Sequence, residues 1–185
     1  MRHLGVVTFL VGIGCLCSVD AGWAQAIREA KTGPIIEDFG PVYPVDVEMK
    51  TRTDMVYRVV FDVSASPQEK DAVNPSIETL ARFLNMHGQA GVPAKNQQLA
   101  LVLHGGAGKD ALRDEAYSAR FGVDNPNRPL LEALGEAGVK IYLCGQTAMH
   151  RGYPNEDLAA PVQMALSAMT ALVSLQAEGY HLIAF

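Results

Sequence analysis

Short runs of consecutive apolar residues, most of them β-branched, aromatic or leucine, recur along the chain. Because these runs are too short for helices and carry few polar residues, they are typical of strands that are covered on both faces. They lie at 57–63, 99–103 and 139–144. We therefore predict three buried strands from them.

The stretches between these runs carry apolar residues at spacings of three and four, which is the repeat of a helix with one buried face. The clearest of these helices begins at Pro75, with Asn74 as its cap, and ends near Gly88. Shorter helices are predicted over 110–120 and 129–137. Strands that alternate with helices predict an α/β fold, a three-layer α/β/α domain with a mainly parallel sheet.

The longest helix is predicted over 161–178, followed by a terminal strand over 181–185. Its polar positions form one narrow, uncharged stripe, while the other positions are mostly apolar or small. The stripe consists of Gln163, Ser167, Thr170 and Ser174. A helix with so little polar surface is buried on most sides, in the domain or in an oligomer. A membrane span is the alternative, but the stripe and the lack of flanking basic residues argue against it.

The first 26 residues have the three parts of a secretory signal peptide. A short positive start precedes an apolar stretch over 4–17 that is too short to span a membrane comfortably. Ala24-Gln25-Ala26 then matches the A-x-A cleavage pattern. We expect cleavage after Ala26 and a soluble protein in the bacterial periplasm or outside the cell. An uncleaved membrane anchor is the alternative.

Residues 27–55 form an irregular extension before the domain, which we place at 56–185. Gly33-Pro34, Gly40-Pro41 and Pro44 are too close together for a helix or an inner strand. Because the extension also carries many apolar residues, we expect it to lie along the domain or along a neighbouring subunit.

The composition, 49% hydrophobic and 19% charged in 185 residues, fits one globular domain. The net charge is -5 and Lys and Arg form no cluster, which argues against binding to nucleic acid or to an anionic membrane. Of the three cysteines, only Cys144 lies outside the signal peptide. The mature chain therefore has no internal disulfide, and its one thiol is either buried or reactive.

Two of the predicted strands end in side chains suited to nucleophilic chemistry. His104 directly follows the second strand, and Cys144 ends the third. If these strands are neighbours, both side chains share one crevice, where the imidazole could hold the thiol as its reactive thiolate. The pairing order of the strands is not readable from the sequence, so an inert, buried cysteine is the alternative.

The residues after these strand ends are candidates for substrate binding. Gly105 directly follows His104, and Gly145 ends the third strand and opens a loop that contains His150 and Arg151. The two basic side chains could bind an anionic sulfur group or substrate, or they could be solvated loop residues.

Other kinds of site are disfavoured. The glycines after His104 lack the GxxxxGK(S/T) and GxGxxG spacings, and no GxSxG elbow occurs, so we expect no nucleotide or other cofactor. His104, Cys144 and His150 carry donors suited to zinc or copper, but their spacing matches no compact metal motif. No metal site is therefore predicted.

A series of short segments, in order along the chain, resembles the DsrE/DsrF-like proteins, and specifically their exported branch. The resemblance runs from Tyr57 to the C-terminus and is carried by YRVVFDV, ARFLNMHGQAGVP, LVLHGGA, FGVDNPN, IYLCGQTAMHRG and ALSAMTALVSLQAEGY. It implies an α/β/α subunit that assembles into trimers or hexamers, which agrees with an uncharged long helix.

The same resemblance implies a role in sulfur trafficking, in which a cysteine accepts sulfane sulfur as a persulfide and hands it to a partner protein. By that resemblance Cys144 is the candidate carrier. Our hypothesis is that His104 favours its thiolate and that His150 or Arg151 steadies the terminal sulfur or an oxyanion. The cytoplasmic partners of better-studied relatives are not implied for an exported chain. The alternative is a non-catalytic oligomeric protein that binds a small ligand or metal and buries Cys144.

Overall fold

The computed structural model describes residues 29–184, and its central element is a five-stranded sheet in which every strand is parallel to its neighbours. The strands are β1 (Tyr57–Val63), β2 (Gln97–Leu103), β3 (Lys140–Cys144), β4 (Val162–Ala165) and β5 (His181–Ala184). Their order across the sheet is β4-β3-β2-β1-β5. The predicted α/β fold with a parallel sheet is therefore confirmed.

The helices connect these strands and cover both faces of the sheet. They are α1 (Pro75–Gln89), α2 (Asp114–Phe121), α3 (Arg128–Glu136), α4 (Gly145–Arg151) and α5 (Ala168–Ala177), with short 3-10 turns at Gly105–Ala111 and elsewhere. Helix α1 begins as predicted, because the Asn74 side chain accepts a hydrogen bond of 3.0 Å from the Ser76 N–H and Pro75 occupies the first turn.

The two faces of the sheet are covered unequally. On the first face, α1 and α3 pack Leu80, Leu84 and Leu131 into a large core that includes Phe61 and Leu101. On the second face the buried cluster is small, and α5 is the helix that supplies buried residues to it. This cluster contains Val60, Ala100, Val102, Cys144, Ala168, Ala171, Leu175 and Tyr180. Cys144 therefore lies on the thinly covered face.

The prediction of one long helix over 161–178 is wrong. The first part of this segment is strand β4, and only the second part is helix α5. Ser167 separates the two with an extended backbone, and its hydroxyl accepts a hydrogen bond of 3.0 Å from the Thr170 N–H, which caps α5. The four residues of β4 mix apolar and polar side chains in a pattern that fits one helical turn as well as a short strand. Spacing alone therefore could not distinguish the strand from the start of a helix. Gln163 accordingly lies in the sheet, outside the polar stripe.

Two shorter segments also differ from the sequence prediction. The residues after Cys144 form α4 and not a loop, so Gly145 begins a helix. The helix predicted over 110–120 is divided by Arg113, whose extended backbone separates the Gly105–Ala111 turn from α2.

The extension packs along α1 through a buried amide. Asn85 is fully buried, and its side chain accepts hydrogen bonds from the N–H groups of Ile35 and Ile36 and donates to the carbonyls of Ile36, Phe39 and Gly40. Farther along, four apolar side chains of the extension stay exposed, namely those of Tyr43, Val45, Val47 and Met49. The predicted signal peptide over 1–26 lies outside the described residues.

Among the helices of residues 29–184, none combines the length and the apolar character that crossing a bilayer requires.

Candidate functional site

The candidate site lies where three neighbouring strands end at the carboxyl edge of the sheet. Strand β2 lies between β1 and β3, and Leu103 is paired with Leu143 in the β2–β3 register. His104 and Cys144 follow these paired residues directly, so the condition that their strands be neighbours is met. Sequence alone predicted both residues but not this adjacency.

A pocket of about 280 Å³ opens at this edge, and both residues line it. Its lining residues are Asp62, His104, Cys144, Gln146, Ser167, Ala168, Met169 and Leu172. Cys144 is 6% exposed, so its thiol is reached through the pocket and not from the open surface. A larger cavity of about 540 Å³ lies between the extension and the end of α1. Neither His104 nor Cys144 lines it.

Two opposing effects act on the Cys144 thiol. Burial raises its pKa because a thiolate is poorly solvated in an apolar surrounding. Hydrogen bonds from the backbone of Thr147, Ala168 and Gln146 and from the Thr147 hydroxyl favour the thiolate and lower the pKa. Together they outweigh burial, so the pKa of Cys144 lies below its ordinary value, which is typical of a reactive cysteine.

Thr147 and Gly105 connect the two strand ends. The Gly105 N–H donates a hydrogen bond of 3.1 Å to the Thr147 hydroxyl oxygen, and that hydroxyl is hydrogen-bonded to Cys144. Gly105 has a φ of +54° and lies close to the Ser64 carbonyl, so a residue with a side chain would be strained there. This contact holds the turn after β2 against α4.

Gly145 allows the chain after β4 to pass close to Cys144. A Cβ atom at this position would lie 2.6 Å from the Ala165 carbonyl oxygen and 3.1 Å from that of Leu166. Neither Gly145 nor Gly105 lines the pocket, so their observed part in the site is to permit close packing of the backbone around it.

Asp62 is the pocket residue that the sequence reasoning missed. It lies on β1, and its carboxylate oxygen is 2.9 Å from Nε2 of His104. A signal was present in the sequence, because a charged side chain near the carboxyl end of an otherwise buried strand requires a polar partner. Because Asp62 is two residues after Val60 in the strand, both side chains lie on the same face of the sheet.

His150 and Arg151 do not join this pocket. Both are exposed in the last turn of α4, and a rise of about 1.5 Å per residue moves them away from the strand end along the helix. Within residues 29–184, no group of three or more His, Cys, Asp or Glu side chains is arranged to hold a metal ion. His104, Cys144 and His150 are therefore not brought together as a metal site.

Comparisons with solved structures agree with the fold. The ychN protein from E. coli is 19% identical with a TM-score of 0.53, and the match covers 70% of this chain and 100% of that one. MTH1491 from Methanobacterium thermoautotrophicum, a protein of unknown function, is 19% identical with a TM-score of 0.52, covering 70% of this chain and 99% of that one. At this identity the likeness concerns the fold alone.

A comparison with curated proteins gives no match to this chain. The sequence model of the DsrE/DsrF-like family, in contrast, matches residues 55–185, which include β1 to β5 and every residue of the pocket. The chain therefore belongs to the DsrE/DsrF-like family.

Proposed function

We propose that this protein is an exported sulfur carrier, in which Cys144 accepts sulfane sulfur as a persulfide and passes it to a partner protein. The observation that carries the proposal is the Cys144 thiol itself. It lines a pocket next to His104, and hydrogen bonds that favour its thiolate lower its pKa against the effect of burial. Membership of a family with a sulfur-relay fold supports the same chemistry.

The proposed step exchanges one sulfur–sulfur bond for another without net oxidation. The Cys144 thiolate attacks the outer sulfur of a donor persulfide, R–S–SH, and a new bond forms between Sγ and that sulfur. The bond between the two donor sulfurs breaks, and R–S⁻ leaves. Among residues 29–184, Cys144 is the only cysteine, so this part of the chain offers no resolving thiol. The sulfur then leaves to a thiol of a partner, which suits a carrier.

Export and assembly complete the proposal. Cleavage after Ala26 delivers the mature chain to the periplasm or the outside of the cell, where donor and acceptor proteins of the same compartment serve it. We also propose that the subunit forms a homo-oligomer, a trimer or hexamer, through the outer side of α5. Met169 is 75% exposed there and Val173 is 67% exposed, and a folded chain gains by covering such side chains.

The direct test is the intact mass of the mature protein after treatment with inorganic polysulfide. We expect an added mass of about 32 Da, one sulfur atom, on the wild-type chain. Cys144→Ser removes the thiol with little change in volume and should remove the adduct, and a reducing agent should reverse it in the wild type. Absence of the adduct from the wild type, or its persistence in Cys144→Ser, would contradict the carrier function.

A further inference from the structure

Three polar side chains form a row across the carboxyl edge of the sheet. Asp62 lies on β1, His104 directly follows β2, and Cys144 ends β3, so the histidine stands on the strand between the other two. In the β1–β2 register Asp62 is opposite Val102, which places the carboxylate one pleat before His104 on the same face. The carboxylate contacts the imidazole from the strand on one side, and the thiol ends the strand on the other side and lines the same pocket.

The contact between Asp62 and His104 decides which ring nitrogen carries the proton. The distance between the carboxylate oxygen and Nε2 is 2.9 Å, which is a hydrogen bond. A carboxylate only accepts, so Nε2 must donate, and in the neutral ring Nδ1 is then the nitrogen with a lone pair. The side chains are 24% and 30% exposed, so this pair is partly shielded from water.

No other ionisable group competes for the imidazole within the described lining of the pocket. β1 contributes Asp62, the end of β2 contributes His104, and β3 contributes Cys144. The remaining lining residues come from α4, α5 and the residue that caps α5, and none of them ionises. These are Gln146, Ser167, Ala168, Met169 and Leu172. Asp62 is therefore the group in the pocket able to fix the protonation state of His104.

We propose that Asp62 is a positioning residue, which holds the His104 proton on Nε2 and so keeps Nδ1 available to accept the proton of the Cys144 thiol. The proposal rests on the proposed sulfur-carrier function for its second half. His104 takes the proton from Cys144, the thiolate attacks the outer sulfur of the donor, and the imidazolium returns the proton to the R–S⁻ that leaves. Asp62 stabilises the imidazolium between these transfers.

The test is the rate at which iodoacetamide alkylates Cys144 as a function of pH, in the wild type and in Asp62→Asn. An amide presents either its oxygen or its NH₂ to the ring, so Nε2–H is no longer enforced and the negative charge is lost. Near neutral pH we expect Asp62→Asn to slow alkylation by roughly 10-fold or more, because a positioned base contributes about 10² or more to proton transfer. Above about pH 10 the thiol ionises without help and the two rates should converge.

Two further variants separate positioning from mere structural support. His104→Gln should slow alkylation near neutral pH in the same way, and adding Asp62→Asn to it should have no further effect, since Asp62 acts through the histidine. Asp54→Asn is the matched control, because Asp54 is 73% exposed and paired with Arg52 away from the pocket. It should leave the pH profile unchanged.

The proposal is overturned if Cys144 in Asp62→Asn is alkylated at the wild-type rate near neutral pH, or if its alkylation is slowed equally at every pH. It is also overturned if His104→Gln keeps the wild-type profile, which can be read even when Asp62→Asn fails to fold. Because alkylation needs no sulfur donor, it tests the role of Asp62 separately from the carrier function. If the pH profiles change as expected but Cys144 gains no persulfide adduct, the role of Asp62 stands and the carrier function is rejected.

Discussion

The Cys144 thiol is held between burial, which raises its pKa, and four hydrogen bonds, which lower it. Three of the four donors are backbone N–H groups and cannot be removed by substitution, whereas the fourth is the Thr147 hydroxyl. A hydrogen bond to a charged group contributes about 1.5–3 kcal/mol, which is enough to decide between two nearly balanced effects. Thr147 is therefore the side chain through which this balance can be shifted.

Thr147→Val keeps the shape of the side chain and removes its hydroxyl. The pKa of Cys144 should rise, because one hydrogen bond that favours the thiolate is lost while burial is unchanged. Near neutral pH, alkylation of Cys144 should slow by roughly 10-fold or more, and above about pH 10 it should match the wild type. These rates are measured by quenching the alkylation reaction at set times and determining the alkylated fraction by mass spectrometry.

Thr79→Val is the matched control for this prediction, because its hydroxyl donates to the Pro75 carbonyl on α1, outside the pocket. An unchanged neutral-pH rate in Thr147→Val, or an equal loss in Thr79→Val, would contradict the role given to the Thr147 hydroxyl.

At the residue scale, the sequence predicted the two strand-end residues of the site and missed the rest for identifiable reasons. His104 and Cys144 were predictable because apolar runs end at them. Asp62 required knowledge that β1 and β2 are neighbours, which is a property of strand order. His150 and Arg151 were expected near Cys144, but α4 carries them to its far end.

Among the α1 side chains that contact the extension, Asn85 is fully buried and makes five hydrogen bonds to the backbone of residues 35–40. Near this contact, Gly40 lies so close to α1 that an added Cβ would be 2.3 Å from the Arg82 nitrogen. Within the extension the backbone pairs in one bridge, between Lys31 and Val42, so its position along α1 depends on contacts such as these.

Asn85→Ala should release the extension from α1. The buried carbonyl and N–H groups of the extension lose their partners, and we expect the free energy of unfolding to fall by roughly 2–4 kcal/mol. Urea denaturation measures the loss, and limited proteolysis should cut within residues 29–55 sooner than in the wild type.

Asn96→Ala is the matched control, because its exposed amide donates only one long hydrogen bond of 3.4 Å, to the Thr53 carbonyl. It should change stability by less than about 0.5 kcal/mol. If both variants behave alike, Asn85 does not hold the extension.

At the element scale, the accuracy of prediction followed the length of the pattern. β1 has the predicted bounds, and α1 begins at the predicted Pro75, because seven or more residues with one consistent repeat favour a single structure. β4 has four residues and joins α5 through Ser167, so its apolar and small residues continued the helical spacing. What separates them is the pairing of β4 with β3, a long-range contact that local spacing does not contain.

On the scale of the whole molecule, the second face of the sheet is the incomplete one. α5 covers its centre, while Leu166 before the helix and Met169 and Val173 on it remain more than half exposed. The uncharged character of this helix, noted from the sequence, therefore has no explanation in burial within one subunit. A second copy of the chain on this side would supply the missing cover.

Val173→Glu places a charge in the centre of this surface and should convert the proposed oligomer to monomers, because burying an unpaired carboxylate is costly. Light scattering coupled to size exclusion measures the mass of each form. Val123→Glu is the control, since Val123 is exposed in a loop after α2. A wild-type protein that is already monomeric, or a Val173→Glu form that keeps its oligomeric mass, would contradict the assignment of this interface.

The position of β5 beside β1 also has a consequence for the order in which the strands pair during folding. β1 is the first strand to be synthesised, yet one of its two neighbours is β5, and Val59 pairs with His181 near the other end of the described chain. Closing so long a loop delays that pairing, so the sheet stays open on one side of β1 until residues 181–184 are available. The pairing of β1 with β5 should therefore be the last step in completing the sheet, and it brings together the first and the last strands of the domain.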